Sequence, residues 1–116
     1  MFDFEKLSVY MKAKEFNKNV NEFLLSSHLD RTTHDQLRRA SFSIMLNIAE
    51  GAGRFTTPDR RNFYVISRGS TFECVAIFDY LKDIRAIDEE KFRSFYNDLD
   101  ELSRMLFSMI KHLTNK

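Results

Sequence analysis

The fold is decided by residues 88–113, which read DEEKFRSFYNDLDELSRMLFSMIKHL. Large apolar side chains recur here at alternating steps of three and four residues: Phe92, Phe95, Leu99, Leu102, Leu106, Met109 and Leu113. This spacing lines them along one side of a 3.6-residue helix, as in the seam of a helix bundle. Acidic residues precede the stripe and favour the positive end of a helix. The stretch therefore predicts a helix over residues 89–114 with one buried side.

Two helices are predicted in the first half of the chain. An apolar stripe with the same spacing predicts the first, over residues 3–27. Thr33, with Gln36 three residues later, fits a capping box and predicts a second helix over residues 34–52. The glycine-rich end of this second segment predicts a left-handed turn. Its expected core stripe is Leu37, Ala40, Ser41, Ile44 and Ile48.

A third helix is predicted over residues 58–84, with Thr57 as its N-cap and Pro58 in its first turn. Its expected inner stripe is Phe63, Ile66, Ser70, Glu73, Ile77, Tyr80 and Ile84. Four long helices with short connections predict one all-α domain, an antiparallel up-down-up-down four-helix bundle. One proline and three glycines in 116 residues are too few for the many turns of an all-β fold.

Composition narrows the class of protein further. Hydrophobic residues make up 43% and charged residues 30% of the chain, as in a folded globular domain. No apolar run approaches the roughly 20 residues that a membrane span needs, so no membrane partner is expected. Cys74 is the single cysteine and cannot form an intramolecular disulfide, which agrees with a reducing, cytoplasmic location.

Motifs of catalytic and metal sites are absent from the sequence. Di-iron bundles carry Glu-x-x-His motifs on inward faces, whereas Leu25, Arg31 and Met109 precede the three histidines by three residues. The chain has no phosphate loop, no nucleophile elbow and no zinc-ligand spacing. We therefore expect no enzyme activity, no cofactor and no metal.

Two glutamates are nevertheless candidates for a site. Antiparallel second and third helices would place Glu73 beside Arg38 and Arg39, and Glu50 level with the arginines that open the third helix. One reading is a catalytic or metal-binding carboxylate pair. However, the two glutamates would lie about 20 Å apart along the bundle axis, too far to share one ion. We interpret both as buried ion pairs, because an unpaired buried charge is costly.

The second and third helices carry more apolar residues than one buried face requires. Each helix of a four-helix bundle buries one face, so a second apolar stripe predicts another burial surface. The alternative is a wide core in a phenylalanine-rich bundle. We expect self-association through an interface formed by Phe42, Met45, Leu46, Phe72 and Val75.

Positive charge gathers at the end of the predicted bundle that holds the loop of residues 52–60. The residues are Arg54, Arg60, Arg61, Lys6, Lys111 and Lys116. A cyclic assembly would repeat this patch and attract phosphates. Phe55 lies at the same end and could stack on bases, whereas nearby Phe63 and Tyr64 are expected to pack. Weak binding of RNA or DNA is the function this pattern favours.

Two blocks of the sequence resemble the four-helix bundle family named for 23S rRNA-intervening sequence proteins. The first block comprises QLRRA at 36–40, Ser43, NIAEG at 47–51, and Gly53 with Arg54. The second comprises Phe63-Tyr64, Arg68-Gly69-Ser70 and Glu73. The opening residues Leu7, Tyr10 and Ala13 and the final stretch from Arg104-Met105-Leu106 to Ile110-Lys111 also fit, so the resemblance spans nearly the whole chain. The NIAEG block is its most specific part.

The resemblance implies an up-down bundle that assembles into homopentameric rings, without enzymatic activity. The family is similar in fold to accessory variability proteins of diversity-generating retroelements, which bind a reverse transcriptase and nucleic acid through a basic ring surface. This chain differs in its net charge of only +1. The alternative function is therefore a scaffold or accessory subunit that recruits a protein partner without contacting nucleic acid.

Overall fold

The computed structural model describes residues 1–114, which form a short 3-10 helix and four α-helices. The 3-10 helix spans Asp3–Lys6, and α1, α2, α3 and α4 span Ser8–Ser26, Arg31–Ala52, Thr57–Asp83 and Glu89–Thr114. No β-strand occurs in this part of the chain. The predicted all-α fold with four long helices is therefore confirmed. None of the described helices is long and apolar enough to cross a membrane.

Two helix starts differ from the predicted ones because neighbouring residues compete to cap. The Asp30 carboxylate accepts a hydrogen bond from the backbone N–H of Thr33 at 2.7 Å, so α2 begins three residues before its predicted start. Thr56, rather than Thr57, caps α3 by accepting from the backbone N–H of Asp59 at 3.2 Å. In both places the side chain that caps lies upstream of the one the sequence suggests.

The predicted continuous helix over residues 3–27 is interrupted at Leu7. Leu7 is extended, with φ −73° and ψ 126°, and separates the 3-10 helix from α1. The bend brings the Phe4 ring edge-on to Tyr10, with 4.8 Å between ring centroids. It also lets the 3-10 helix contact α2 as well as α1.

The core lies between four helices that each contact two others. α1 contacts α2 and α4, and α3 contacts the same two helices. A cluster of phenylalanines fills the core: Phe78 stacks on Phe95 with 4.6 Å between centroids, and Phe16 meets Phe95 edge-on at 5.8 Å. The buried side of α4 carries Phe95, Leu99, Leu102 and Leu106, and the five residues of the predicted α2 stripe are all buried.

The predicted inner stripe of α3 is wrong for most of its members. Ile66, Glu73, Tyr80 and Ile84 are exposed. The buried side of α3 instead carries Tyr64, Ser67, Ser70, Thr71, Cys74, Phe78 and Leu81. Periodicity follows the largest apolar side chains, but α3 turns Ser67 and Ser70 toward α2, and these small residues let the two backbones approach.

Hydroxyl groups join α2 to α3 along this contact, which we call the α2–α3 seam. Ser67 Oγ donates to the carbonyl oxygen of Ile44 at 2.8 Å, in a buried position. The hydroxyls of Ser43 and Ser70 lie 2.9 Å apart, and Asn47 Nδ2 donates to Ser43 Oγ at 2.9 Å. Within residues 1–114 no buried side-chain polar atom lacks a hydrogen-bond partner. The small polar residues are therefore buried without the cost of unmet hydrogen bonds.

Gly51 closes the seam at the end of α2. A Cβ at this position would lie 2.8 Å from Tyr64 Cε1 and 3.0 Å from Phe63 Cβ, so only glycine permits this approach. The predicted left-handed turn is wrong, since Gly53 has φ −88° and ψ −4°. Glycine serves close packing here rather than an unusual backbone conformation.

We predict opposite effects for two glycine substitutions. Gly51→Ala should lower the free energy of unfolding by about 1–3 kcal/mol, because the added methyl meets the Tyr64 ring. Gly69→Ala should raise it by about 0.5–1 kcal/mol, because no atom lies within 4 Å and alanine favours the helix. Urea denaturation of both variants measures this contrast, and equal effects would contradict the close approach at Gly51.

The Asp30 cap should make stability depend on pH in acid. The hydrogen bond from the Thr33 backbone lowers the pKa of Asp30. The cap therefore contributes fully above the unfolded-state pKa, and its contribution is lost as pH falls through the folded-state pKa. Asp30→Asn can still accept the bond but does not titrate. The free energy of unfolding of the wild type relative to this variant should therefore decrease below about pH 4. Denaturation midpoints of both proteins at a series of pH values measure this difference. A difference that stays constant with pH would contradict the cap.

Candidate functional site

Glu73 does not form the buried ion pair that the sequence predicts. Glu73, Arg38 and Arg39 are all exposed, and no ion pair joins them within the described residues. The cause is the rotation of α3 that buries Ser70 and Cys74 and turns Glu73 outward. The predicted lock at Glu73 is therefore wrong.

Glu50 also pairs differently from the prediction. Its Oε1 lies 3.1 Å from Nη2 of Arg54, one helical turn later, rather than beside the arginines that open α3. Both side chains are about half exposed, so water screens the pair and it contributes little to stability. Glu50 instead orients Arg54 at the end of α2.

Three arginines lie around the turn between α2 and α3. The guanidinium of Arg54 lies over the Phe63 ring, 4.5 Å from its centroid. Arg60 Nε donates to the backbone oxygen of Arg54 at 2.7 Å, which holds the Arg60 side chain against the backbone of the turn. Arg61 Nε donates to Oγ1 of Thr114 in α4 at 2.7 Å. The turn and the last described residue of α4 thus hold the three arginines at one end of the bundle.

Within the described residues, the lysines expected at this end of the bundle are not hydrogen-bonded to the three arginines of the turn. Lys6 ends the 3-10 helix and Lys111 lies in the last turn of α4, and both are exposed. Neither makes an ion pair within residues 1–114, and no hydrogen bond joins either one to the arginines. Lys116 lies outside the described residues.

Phe55 is the accessible aromatic residue of the turn. Its side chain is 99% exposed and lies between Arg54 and Arg60 in sequence. Phe63 is covered by Arg54, and Tyr64 is 5% exposed. Burial raises the pKa of Tyr64, with the nearby Arg60 charge acting in the opposite direction. Of the three aromatics, Phe55 alone presents its ring to a ligand.

The residues predicted to form an oligomer interface lie on two separate surfaces. Phe42 and Met45 line a groove of about 570 Å³ between α1 and α2, together with Met11, Lys14 and Lys18, which we call the α1–α2 groove. Phe72 lies between two hollows of about 370 and 450 Å³ on α3 and α4, which we call the α3–α4 groove. Val75 lines the first of these hollows, and Leu46 is exposed on α2.

Arg68 is a member of the α3–α4 groove that sequence reasoning missed. Its guanidinium lies 4.8 Å from the Phe72 centroid and 5.4 Å from that of Phe107. Its Nε donates to the carbonyl oxygen of Ser103 at 3.2 Å. The four-residue spacing to Phe72 on one helix face is the signal that predicts the first contact.

Two common kinds of reactive site, an accessible thiol and a cluster of metal ligands, are not found among the described residues. Cys74 is buried, and burial raises the pKa of its thiol, with a smaller contribution from the Glu73 charge. A thiol of this kind is a poor nucleophile at neutral pH. Among residues 1–114 no group of three or more His, Cys, Asp and Glu side chains is arranged to hold a metal ion.

The fold and its surfaces define the class first: an all-helical four-helix bundle with apolar grooves and a basic end. The chain belongs to the 23S rRNA-intervening sequence protein family, whose model matches residues 5–108. Part of the resemblance lies at the seam and its end: Asn47 donates to Ser43, whose hydroxyl contacts that of Ser70, and Gly51 lies against Phe63 and Tyr64.

The chain is also similar to a solved structure. This is the crystal structure of a protein with unknown function from the S23 ribosomal protein family of Bacteroides thetaiotaomicron. The two chains are 26% identical, with a TM-score of 0.84 over 89% of this chain and 98% of the other. No curated protein matches the chain. Neither the family description nor the name of this structure describes an enzyme.

We predict that Glu73→Ala changes the free energy of unfolding by less than about 0.5 kcal/mol, because the side chain is exposed and unpaired in the described part of the chain. Leu99→Ala, which removes a fully buried side chain, should cost about 2–5 kcal/mol and serves as the comparison. A loss above about 3 kcal/mol at Glu73 would indicate a buried, paired charge instead. Urea denaturation measures both.

Proposed function

We propose that the chain is a non-enzymatic, homo-oligomeric four-helix bundle, with its helices in up-down-up-down order, whose basic end binds RNA or DNA. The observation that carries the binding proposal is the turn between α2 and α3, where the almost fully exposed Phe55 follows Arg54 in sequence and Arg60 Nε donates to the Arg54 backbone oxygen. A cationic surface with an accessible aromatic ring is the arrangement that holds phosphates and stacks on bases.

Contacts between helices support the proposed order. Ser43 of α2 meets Ser70 of α3, while the later residue Gly51 meets the earlier residue Tyr64. Residue numbers therefore rise along α2 as they fall along α3. The same holds for α3 and α4, where Arg61 meets Thr114 and Arg68 meets Ser103. Each pair runs in opposite directions, as short connections require.

The charges at the turn set the expected strength of binding. Glu50 pairs with Arg54, and Asp59 lies in the first turn of α3, so both offset part of the positive charge. One chain therefore binds a strand weakly. A cyclic assembly, which we propose to be a pentamer, would turn all basic ends the same way and multiply the contacts.

The proposal predicts steep dependence on salt. With three phosphate contacts on a single strand, affinity should fall by about 20-fold between roughly 50 and 200 mM salt. Fluorescence anisotropy of a labelled oligonucleotide measures this. The triple variant Arg54→Ala, Arg60→Ala, Arg61→Ala should lose binding. Its matched control replaces Arg31, Arg38 and Arg39 by Ala, which removes the same charge from the other end of α2.

Two results would contradict the nucleic-acid proposal. If both triple variants lose affinity equally, overall charge rather than the basic end accounts for binding. If no oligonucleotide binds the wild type at low salt, the alternative function as a protein-recruiting scaffold replaces this one.

Phe55 provides an independent prediction. The chain has no tryptophan, so Phe55→Trp introduces a single fluorescent reporter at the turn. Stacking should quench its emission on a single-stranded oligonucleotide, whereas a duplex, whose bases are already stacked, should leave it nearly unchanged. Phe55→Leu should weaken single-strand binding by about 1–3 kcal/mol. Emission that does not respond to bound single strands would show that the ring does not stack.

A further inference from the structure

We infer that copies of this chain associate head to tail, with the α1–α2 groove of one copy docked on the α3–α4 groove of the next. The inference rests on the self-association in the proposed function and specifies which surfaces meet. Its occupant is a second copy of the chain, because the two grooves match in apolar residues, in charge and in height along the bundle.

The two grooves lie on opposite sides of the bundle. Within the described residues, each α-helix contacts only two others, so the four helices lie around the core in the order α1, α2, α3, α4. α1 and α2 therefore form one side of the bundle, and α3 and α4 form the other. A contact between unlike, opposite faces leaves one open face at each end of a growing chain of copies. Such an assembly continues until rotation brings the ends together and closes a ring.

Each groove has an exposed phenylalanine at the same height. Ser43 and Ser70 touch, and α2 and α3 run in opposite directions. Phe42 therefore lies level with Thr71, next to Phe72 in sequence. Phe42 is 43% exposed and Phe72 55% exposed. In a cyclic assembly whose axis runs parallel to the helices, the phenyl ring of Phe42 in one copy contacts that of Phe72 in the next, and both are buried from water.

Glu15 lines the α1–α2 groove near the height of Arg68 in the other groove. Asn17 Oδ1 accepts from Ser41 Oγ at 2.9 Å, which fixes the height of α1 against α2. Counting from this contact and from the seam, Glu15 is level with residue 70. It therefore lies about 3 Å along the axis from Arg68. The carboxylate of one copy thus faces the guanidinium of the next.

Lys14 and Lys18 of the α1–α2 groove lie near the height of a carboxylate, that of Asp100, in the α3–α4 groove. Three contacts between α3 and α4 place Asp100 level with residues 71 to 75 of α3: Arg68 with Ser103, Phe78 with Phe95, and Arg61 with Thr114. The heights of Lys14 and Lys18 correspond to residues 69 and 73, so Asp100 lies close to the height of Lys18. All three side chains line their grooves. Both grooves carry charges of both signs, and near this height the lysines of one groove oppose a carboxylate of the other.

Asp100 has one partner within its own chain. Its Oδ2 lies 3.1 Å from Arg104 Nε, in an exposed pair on α4. Exposed pairs of this spacing contribute little. The lysines of the next copy would share this carboxylate rather than displace a strong interaction.

A pair of complementary variants tests the inference on the full chain. Phe42→Glu places a charge in the apolar α1–α2 groove and leaves the α3–α4 groove unchanged. Phe72→Glu places a charge in the α3–α4 groove and leaves the α1–α2 groove unchanged. Each variant alone should sediment with the 13.8 kDa mass of one chain. An equimolar mixture should form a species of twice that mass and no larger, because the one good contact joins one copy of each. Circular dichroism should show unchanged helix content, since both residues are exposed.

A charge exchange in the same mixture tests the register. Lys14→Glu with Lys18→Glu, added to the Phe72→Glu chain, should weaken the mixed species at least about tenfold. Asp100→Lys in the Phe42→Glu chain should restore part of the loss. Leu25→Glu, at an 88% exposed position outside both grooves, should leave wild-type assembly unchanged.

Self-association and the head-to-tail contact are tested by different outcomes. A wild type that sediments as one chain at tens of micromolar overturns self-association itself. A wild type that assembles, with Phe42→Glu and Phe72→Glu assembling equally well, overturns only the head-to-tail contact. A Phe42→Glu chain that dimerises without its complement shows that like faces pair. Failure of Asp100→Lys to restore the mixed species overturns the register.

Discussion

The close contact between α2 and α3 is the constraint from which the surfaces of this protein follow. Two helices approach when the residues between them are small, and here these include Ser43, Ser67, Ser70 and Gly51. Their hydroxyls remain hydrogen-bonded, as the buried bond from Ser67 to the Ile44 carbonyl shows. The contact thus avoids the penalty for burying polar groups. It also fixes how both helices are rotated about their own axes.

That rotation explains why so many large apolar residues are exposed. With small residues inside, α3 presents Phe72 outward, and α2 presents Phe42 outward beside α1. A monomeric domain rarely leaves rings of this size on two opposite sides. The same rotation exposes Glu73 and removes it from any buried ion pair. The rotation of the two helices therefore accounts both for the apolar surfaces of the proposed assembly and for the absence of the predicted buried ion pair at Glu73.

The sequence predicts the helices and the core of α2 and α4 well because their inner residues are large and regularly spaced, as Leu99 and Leu102 are. It fails for α3, where Ser67 and Cys74 lie inside and periodicity alone cannot show that small residues face the core. It also cannot choose between two capping residues a few positions apart, as at Asp30 and Thr33, since both patterns fit the local sequence. The arginines of the basic end are evident from sequence, but the contact of Arg60 with the turn needs the folded chain.

The central claim is that the outward rotation of Phe42 and Phe72 creates the surfaces through which copies associate. Hydroxyl-radical footprinting of the wild type, read by mass spectrometry over a range of protein concentrations, tests it most directly. Phe42 and Phe72 should be modified in dilute solution and become protected together as concentration rises, while Phe55 stays reactive throughout. Unchanged modification of Phe42 and Phe72 at every concentration would contradict the claim.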